Sequence, residues 1–478
     1  MKYRHFDNNR RPFSAVCQTR FGRKVIYTNQ KKIDSSNILQ ELSKAMYIHQ
    51  QNAEEIAYLD RYYSGDQPIL YREKANRPEV NNKVVQNLAF YIVETKASEI
   101  AGEPIQYVLR GTDETKSELI AELNTIMDSE DKACDDIELC RWRSICGTGY
   151  RYIGNDDGRG SLLDESPFLM SVENPKYTFV AYYNNGKPAF SCQMSETEDG
   201  KEQRICYTNT EWFRIVGGEI VDSGININKA IPVVEYPNNE RRLSDIEITI
   251  AITDELNVMA SDRANGIEQF VSAWVKFVNC EIDEKTYAKM RQEGALVVKS
   301  NNGAENKADV DVMTSELNQT ESQVAVEDQF NKLLIIQGVA GRGQNSGGDT
   351  QGAVLLRDGF YVQEKRAEMN EPIFKRAERM ILKIMLNRLR IDRGFSLLPS
   401  DIEIKISRSK MDNMLTKAET MQILLNSGIN PERAIKSVGF FADPEQVAIE
   451  SKERMDILYP TEVVEEVEVN NNADNIEI

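Results

Sequence analysis

Histidine is almost absent from this chain, since His5 and His49 are the only two among 478 residues. Histidine is the usual general base near neutral pH and a common metal ligand, and neither of these two lies in a motif. The G-x-S-x-G and H-E-x-x-H signatures of hydrolases are also missing. The sequence therefore predicts no catalytic residue, no metal site and no cofactor.

Cysteine pairs at redox or metal-binding spacing are missing as well. The seven cysteines are scattered, odd in number and never arranged as C-x-x-C, which excludes a disulfide framework and a zinc site and is typical of a reducing compartment. The N-terminus has no signal-peptide pattern, and no apolar run reaches the ~18 residues of a membrane span. We expect synthesis in the cytoplasm and no membrane segment.

Basic residues are outnumbered, and the net charge of −18 excludes a general nucleic-acid-coating protein. The charge is uneven along the chain: residues 1–32 hold nine lysines and arginines against one acid, Asp7, and no basic residue follows Arg454. This distribution predicts a basic N-terminal arm over 1–35 and an acidic disordered tail over 456–478.

The hydrophobic periodicity changes twice along the chain. Helical spacing predicts helices over 36–63, 81–102 and 114–144, and a period of two over 150–237 predicts an antiparallel sheet of hairpins. Longer helices are then predicted over 245–278, 320–337 and 353–391, the first opened by the Ser244-x-x-Glu247 capping box and the last kinked at Pro372. Strands over 295–300 and 309–314 lie between the first two, and a strand at 401–407 precedes three short helices. The fold class is α+β.

A glycine-rich segment, QGVAGRGQNSGGDTQG from Gln337 to Gly352, lies between two of these helices. Glycine costs about 1 kcal/mol relative to alanine in a helix, so the segment predicts a loop. Three interpretations stay open: a surface linker, a partner-binding loop, or the nucleotide-binding loop of a cytoplasmic enzyme over 341–350. The third is weakened because Asp349 replaces the lysine of G-x-x-x-x-G-K-[ST] and because a helix, not a strand, precedes the segment. The candidate contact residues are Gly341, Arg342, Gly343, Gln344, Asn345, Ser346, Gly347, Gly348 and Asp349.

The first long helix carries an aromatic stripe of Phe270, Trp274 and Phe277. These side chains, with Arg263 on the same helix, are candidates for packing against neighbouring copies of the chain. Burial in the chain's own core is the open alternative, since an aromatic seam is typical of both obligate interfaces and interiors.

Several segments, in this order, resemble the SPP1-type portal proteins of tailed bacteriophages. They are YYSGDQPI (62–69), NNKVVQNLAFYIVETKASEIAGEPIQY (81–107), IPVVEYPNNERRLSDIEITIAITDELN (231–257), SDRANGIEQF (261–270), the long predicted helix after the glycine-rich segment and the stretch over 406–454. None is a short catalytic signature, and the resemblance depends on the order of the pieces. The basic arm and the acidic tail have no counterpart in it.

The resemblance implies a portal-type fold with a mixed wing domain, a long-helix stem, a small α/β clip and a helical crown. Its parts would be the arm 1–35, wing 36–240, first stem helix 241–279, clip 280–318, second stem helix 319–337, tunnel loop 338–352, kinked wing helix 353–395, crown 396–455 and tail 456–478.

The resemblance also implies a non-enzymatic protein of the virion, located at the portal vertex of the capsid and made in the host cytoplasm. Its partners would be further copies of itself in a dodecameric ring, double-stranded DNA passing through the axial channel, terminase, a head–tail adaptor, and capsid and scaffold proteins. A monomeric minor head or adaptor protein is the rival within the same setting.

Overall fold

The computed structural model describes residues 22–75, 78–111, 113–155, 166–271, 274–278, 285, 309–313, 319–341, 359–408, 414–438, 447–452 and 454. The acidic tail and most of the basic arm and glycine-rich segment lie outside these residues. The chain forms two compact units. The first unit comprises Met1–Glu99, Ile137–Tyr152 and Ser171–Ala377, and the second comprises Ile100–Asp136, Ile153–Met170 and Glu378–Ile478.

Helices and strands occur in both units, which confirms the α+β class. The helices are α1 (Ile38–Tyr63), α2 (Leu88–Ala101), α3 (Glu114–Ser129), α4 (Lys132–Cys146), α5 (Ile250–Val271), α6 (Gln319–Gln337), α7 (Phe360–Arg393), α8 (Met414–Asn426) and α9 (Pro431–Val438). The strands are β1 (Ile26–Thr28), β2 (Gln106–Leu109), β3 (Thr148–Asn155), β4 (Phe168–Glu173), β5 (Thr178–Tyr183), β6 (Pro188–Glu196), β7 (Glu202–Tyr207), β8 (Glu211–Val216), β9 (Glu219–Ile225), β10 (Val233–Pro237), β11 (Trp274–Val278), β12 (Asp309–Met313) and β13 (Ile402–Lys405).

The first unit contains a six-stranded sheet with the order β1-β5-β6-β7-β8-β9. β1 is parallel to β5, and the other neighbours are antiparallel. Buried side chains of α1, including Leu42, pack with Phe179 and Phe213 of the sheet. The period of two correctly predicted the strands of this sheet that lie within 150–237: in β8, Phe213 and Ile215 are buried while their neighbours are only half-buried.

The sheet differs from the prediction at two places. β1 lies within the predicted arm 1–35, because Ile26 and Ile33 are apolar and fill the core between α1 and the sheet. β3 and β10 leave the hairpin series and form a three-stranded sheet with the order β10-β3-β4, in which Val233 pairs with Tyr152.

Two predicted helices have different limits in the structure. The helix predicted over 114–144 is two helices, α3 and α4, because Asp131 between them has a positive φ of 51°, a left-handed conformation that aspartate tolerates better than most residues. The helix predicted from residue 81 begins at Leu88, and residues 81–87 are non-helical.

The helix predicted over 245–278 is wrong at both ends. Residues 245–249 form turns, α5 begins at Ile250 and ends at Val271, and Trp274–Val278 is strand β11. β11 pairs with β12, so Trp274 lies opposite Met313 and Phe277 opposite Val310. The sequence WVKFV explains this, because alternating aromatic and β-branched residues favour a strand.

The second unit pairs β2 with β13 in an antiparallel ladder. A buried charged cluster lies beside it: Lys132 Nζ is 2.7 Å from Asp136 and 2.9 Å from Glu378, and the Tyr107 hydroxyl donates to Glu378 at 2.5 Å. Buried charges are tolerated when they are paired and hydrogen-bonded in this way.

The helix α7 runs through Pro372 without a break. An interior proline removes one backbone hydrogen bond and usually bends a helix, so the predicted kink at Pro372 stays a prediction. Side chains one turn apart across this point, Glu371 and Lys375, form an ion pair.

Candidate functional site

The candidate site is the pair of helices α5 and α6 together with the base of the glycine-rich segment that follows α6. Two side-chain contacts show that the helices are antiparallel. Near the start of α5, Thr249 accepts a hydrogen bond from Gln337 at 2.8 Å, and farther along, Arg263 donates to Gln323 at 2.6 Å. The two contacts are separated by 14 residues along each of the two chain segments, as expected for two antiparallel helices that lie side by side.

An apolar seam holds the pair together. Leu256 of α5 and Leu333 of α6 are fully buried, and they pack with Leu334 and with Ile92 of α2. Burying such side chains stabilises the fold by about 1.5–3 kcal/mol each. The seam fixes which faces of the two helices meet.

Hydrogen bonds, and not apolar contacts, hold α5 to residues 81–87, because the face of the helix that is buried there is polar. Asn257, Ser261 and Asn265 recur every four residues and are at most 3% exposed. They accept hydrogen bonds from alternate backbone amides: Gln86 to Asn257 at 2.9 Å, Val84 to Ser261 at 2.9 Å, and Asn82 to Asn265 at 2.7 Å. We call this set the polar ladder.

The spacing of the polar ladder follows from elementary geometry. Four helical residues rise about 6 Å, and two extended residues span about 6.6 Å, so a helix position every four residues meets every second amide of an extended chain. The ladder explains why residues 81–87 are not helical: their amides are satisfied by α5 instead of by their own helix. A signal was present in the sequence, as polar residues at positions 257, 261 and 265 within an otherwise amphipathic pattern.

Further buried amides extend the ladder. The Asn257 side chain donates to Gln67 at 2.5 Å, and Gln67 in turn donates to Asn87 at 3.1 Å. Asn87 has a positive φ of 46° immediately before α2. The network therefore couples the register of α5 to the start of α2.

Charged groups hold the beginning of α5. The predicted capping box is only half formed and does not open the helix: the Ser244 amide donates to Glu247 at 2.8 Å, but the Ser244 hydroxyl accepts from the Ile246 amide at 3.0 Å, and turns over 245–249 separate it from the first residue of α5, Ile250. Arg23 donates to the Glu247 carboxylate and also lies 3.2 Å from Glu55. Burial raises the pKa of Glu247, and the Arg23 charge opposes that rise.

The surface of the helix pair is acidic. α5 contains four carboxylates and one arginine, and α6 contains three carboxylates and one lysine. Several of the acids are exposed, among them Glu255, Asp262, Glu268 and Glu327. Part of this charge is paired within the chain, since Asp262 lies 2.7 Å from Arg72.

The base of the glycine-rich segment is a hydrogen-bonded turn at the end of α6. α6 ends at Gln337, and Gly338 then takes the left-handed conformation with φ of 64°. Its amide donates to Ile335 at 3.1 Å, and the Val339 amide donates to Leu334 at 3.0 Å. This arrangement is the glycine C-cap of helices, which satisfies carbonyls that the helix leaves free.

The predicted site residues are only partly covered by the structure. Within the glycine-rich segment the structure describes residues up to Gly341. Arg342 to Asp349 lie outside the described residues. Arg263 is half-buried and bonded within the chain, and Phe270 lies in the last turns of α5. Trp274 and Phe277 do not share that helix, because they lie in β11, and the use of these four residues at a subunit interface stays a prediction.

His49 is a core residue. It is 3% exposed, its Nε2 donates to the Lys176 carbonyl at 3.0 Å, and burial lowers its pKa to about 4. Within the described part of the chain, no three His, Cys, Asp or Glu side chains form a group that could hold a metal ion. In that same part, no helix has the length and apolarity needed to cross a membrane.

Comparisons with known proteins complete this description. No curated protein sequence matches the chain. Among solved structures, the chain is similar to the neck of an empty GTA particle, with 12% identity, 75% of this chain and 88% of that chain covered, and a TM-score of 0.42. It is also similar to the neck of a native GTA particle, with 13% identity, coverage of 73% and 89%, and a TM-score of 0.41. The model of the family described as phage portal protein, SPP1 Gp6-like, matches residues 42–457. The chain therefore belongs to this family of phage portal proteins, which are structural proteins and not enzymes.

Proposed function

We propose that this chain forms a ring of identical subunits, twelve in the assembled head, at one vertex of a phage capsid. Double-stranded DNA passes through the axial channel of the ring during packaging and leaves by it during ejection. Terminase docks on the ring during packaging and a head–tail adaptor docks later, while capsid and scaffold proteins surround it.

The stem covers 241–279 and 319–337, and its helices are α5 (Ile250–Val271) and α6 (Gln319–Gln337). The clip over 280–318 meets terminase and the adaptor, and the loop over 338–352 faces the channel. The wing covers 36–240 together with 353–395, and the crown covers 396–455. The aromatic residues Phe270, Trp274 and Phe277 contact neighbouring copies.

The observation that carries the proposal is the position of the glycine-rich segment, which starts from a fixed base at the end of an acidic antiparallel helix pair. DNA must slide past such a surface. Each added phosphate contact would raise the affinity and its dependence on salt, whereas glycines let the backbone change shape without strain. Within the segment, Arg342 is the one basic side chain and supplies a contact to phosphates that reads no base.

The nucleotide-binding alternative over 341–350 is not carried further. The family is one of structural proteins, and α6 immediately precedes the segment, whereas a phosphate-binding loop follows a strand.

Negative-stain electron microscopy of the purified protein, with its mass from light scattering, tests the proposal. We expect end-on rings with a central hole and a mass of several subunits. A monomer at micromolar concentration, both alone and with scaffold protein, would contradict the ring and favour a minor head or adaptor protein.

A further inference from the structure

The last carbonyls of α6 have a partner from outside the helix. Leu334 and Ile335 are satisfied by the glycine turn, and the Ile336 carbonyl accepts a hydrogen bond from Arg366 Nη1 of α7 at 3.0 Å. The same nitrogen is 3.5 Å from the Ile335 carbonyl. A cation at this place also interacts favourably with the negative end of the helix dipole.

Arg366 packs directly over Gly338. A Cβ at residue 338 would lie 2.3 Å from Arg366 Nη1 and 2.5 Å from its Cδ. Glycine is favoured at this position by the left-handed backbone, and a side chain here would displace the Arg366 guanidinium from its contact. The contact fills the space that a side chain would otherwise occupy.

One turn earlier on α7, Gln363 holds the next part of the chain. Its side-chain oxygen accepts a hydrogen bond from the Ala340 amide at 2.8 Å. The Gln363 side chain also hydrogen-bonds to the Glu99 carboxyl group, which fixes its orientation. Val339 and Ala340 are only 6% and 8% exposed, so this stretch is held tightly.

Residues just before α5 also hold the end of α6. Gln337 donates from one nitrogen to Thr249 at 2.8 Å and to the Asp245 carbonyl at 2.5 Å. On the far side of the segment, a Cβ at Gly359 would be 4.0 Å from the Cα of Ala340. Ala340 and Gly359 therefore lie next to each other.

We propose that Gln363 and Arg366 are positioning residues that clamp the chain at Gly338–Ala340, just after the end of α6, against the first turns of α7. They thereby fix the position of Ala340 relative to Gly359, the described residues on either side of the glycine-rich stretch. The consequence for DNA passage rests on the function proposed above, whereas the clamp itself does not.

Hydrogen exchange of the full-length protein tests the clamp. In the double variant Gln363→Ala/Arg366→Ala, we expect the amides of Val339 and Ala340 to exchange at least tenfold faster than in the unchanged protein. Lys365→Ala is the matched control, because Lys365 lies on the same turn and pairs with the exposed Glu368; its exchange at these amides stays within twofold. Unchanged exchange in the double variant would overturn the clamp.

Packaging assays then test the positioning role. We expect oligomer mass and melting temperature close to those of the control, with at least tenfold less DNA packaged or retained by the double variant. Arg366→Lys, which keeps one donor, should recover part of the loss and provides a readout if the double variant folds poorly. Faster exchange with normal packaging would overturn the positioning role. Failure of the unchanged protein to form rings would overturn the proposed function. In that case the exchange result would still decide whether the clamp exists.

Discussion

The two buried faces of α5 are held in different ways. Toward α6 the face is apolar, with Leu256 against Leu333 and Leu334, and toward residues 81–87 it is the polar ladder of Asn257, Ser261 and Asn265. Apolar contact is roughly proportional to buried area and has no direction, whereas each hydrogen bond requires one donor at one acceptor. We infer that both faces contribute stability, whereas the ladder alone fixes the register of α5.

The largest effect is expected from Asn257→Leu. The change removes the acceptor for the Gln86 amide and the donor to Gln67 and leaves both groups buried, at a cost of about 1–3 kcal/mol each. We expect a loss of about 4 kcal/mol in the free energy of unfolding, measured by denaturant titration, and faster amide exchange at Gln86.

Leu256→Ala is the matched comparison for the apolar face. Truncating a buried leucine costs about 2–5 kcal/mol, so its loss of stability is similar. The amides of residues 82, 84 and 86 should nevertheless exchange no faster than the lowered free energy of global unfolding requires. If Leu256→Ala deprotected them as strongly as Asn257→Leu, the two faces would not have the separate roles inferred here.

A second prediction uses pH, because the ladder contains no titratable group, whereas the core between α1 and the sheet contains His49. Burial lowers the pKa of His49 to about 4 from 6.5, so between these values the unfolded chain binds more protons than the folded one. The stability from neutral His49 is complete above pH 6.5 and is lost as the pH falls toward about 4, by about 3 kcal/mol in total.

The free energy of unfolding measured against pH checks this. His49→Gln should flatten the acid slope in that window, while Ser261→Ala should shift the curve without changing its shape. An equal slope in His49→Gln would assign the acid sensitivity to other groups.

The smallest effect is expected from Ser261→Ala. This change removes one acceptor, the hydroxyl that receives the Val84 amide at 2.9 Å, and should cost about 1–2 kcal/mol. Ser261→Thr keeps the hydroxyl and serves as the control. A stability equal to that of the unchanged protein would mean that water replaces the lost acceptor.

The sequence predicted the elements whose pattern is local. The hairpin strands of the six-stranded sheet, α6 and β13 follow from periodicity within each segment. The predictions failed where a distant partner decides. Residues 81–87 were predicted to be the first turns of a helix. Nothing within that segment indicates that its backbone amides will donate hydrogen bonds to side chains of α5.

The end of α5 shows a different limit. The apolar spacing of Phe270, Trp274 and Phe277 continues the helical period, so the sequence predicted one helix to residue 278. Trp274–Val278 also suits a strand, and pairing with Asp309–Met313 decides between the two. Short apolar runs are ambiguous by period alone, and a partner more than 30 residues away resolves the ambiguity.

By itself, the sequence determined the α+β class, the acidic helix pair and the glycine-rich segment between two helices, because each depends on composition or on neighbours within one turn. Through its resemblance to portal proteins, it also indicated the family that the comparison shows. The tertiary structure alone decided which amides the polar ladder receives and which side chains of α7 clamp the base of the segment. Arg366 and the Ile336 carbonyl are 30 positions apart, and hydrogen bonds between such partners are specified only when folding brings one donor to one acceptor.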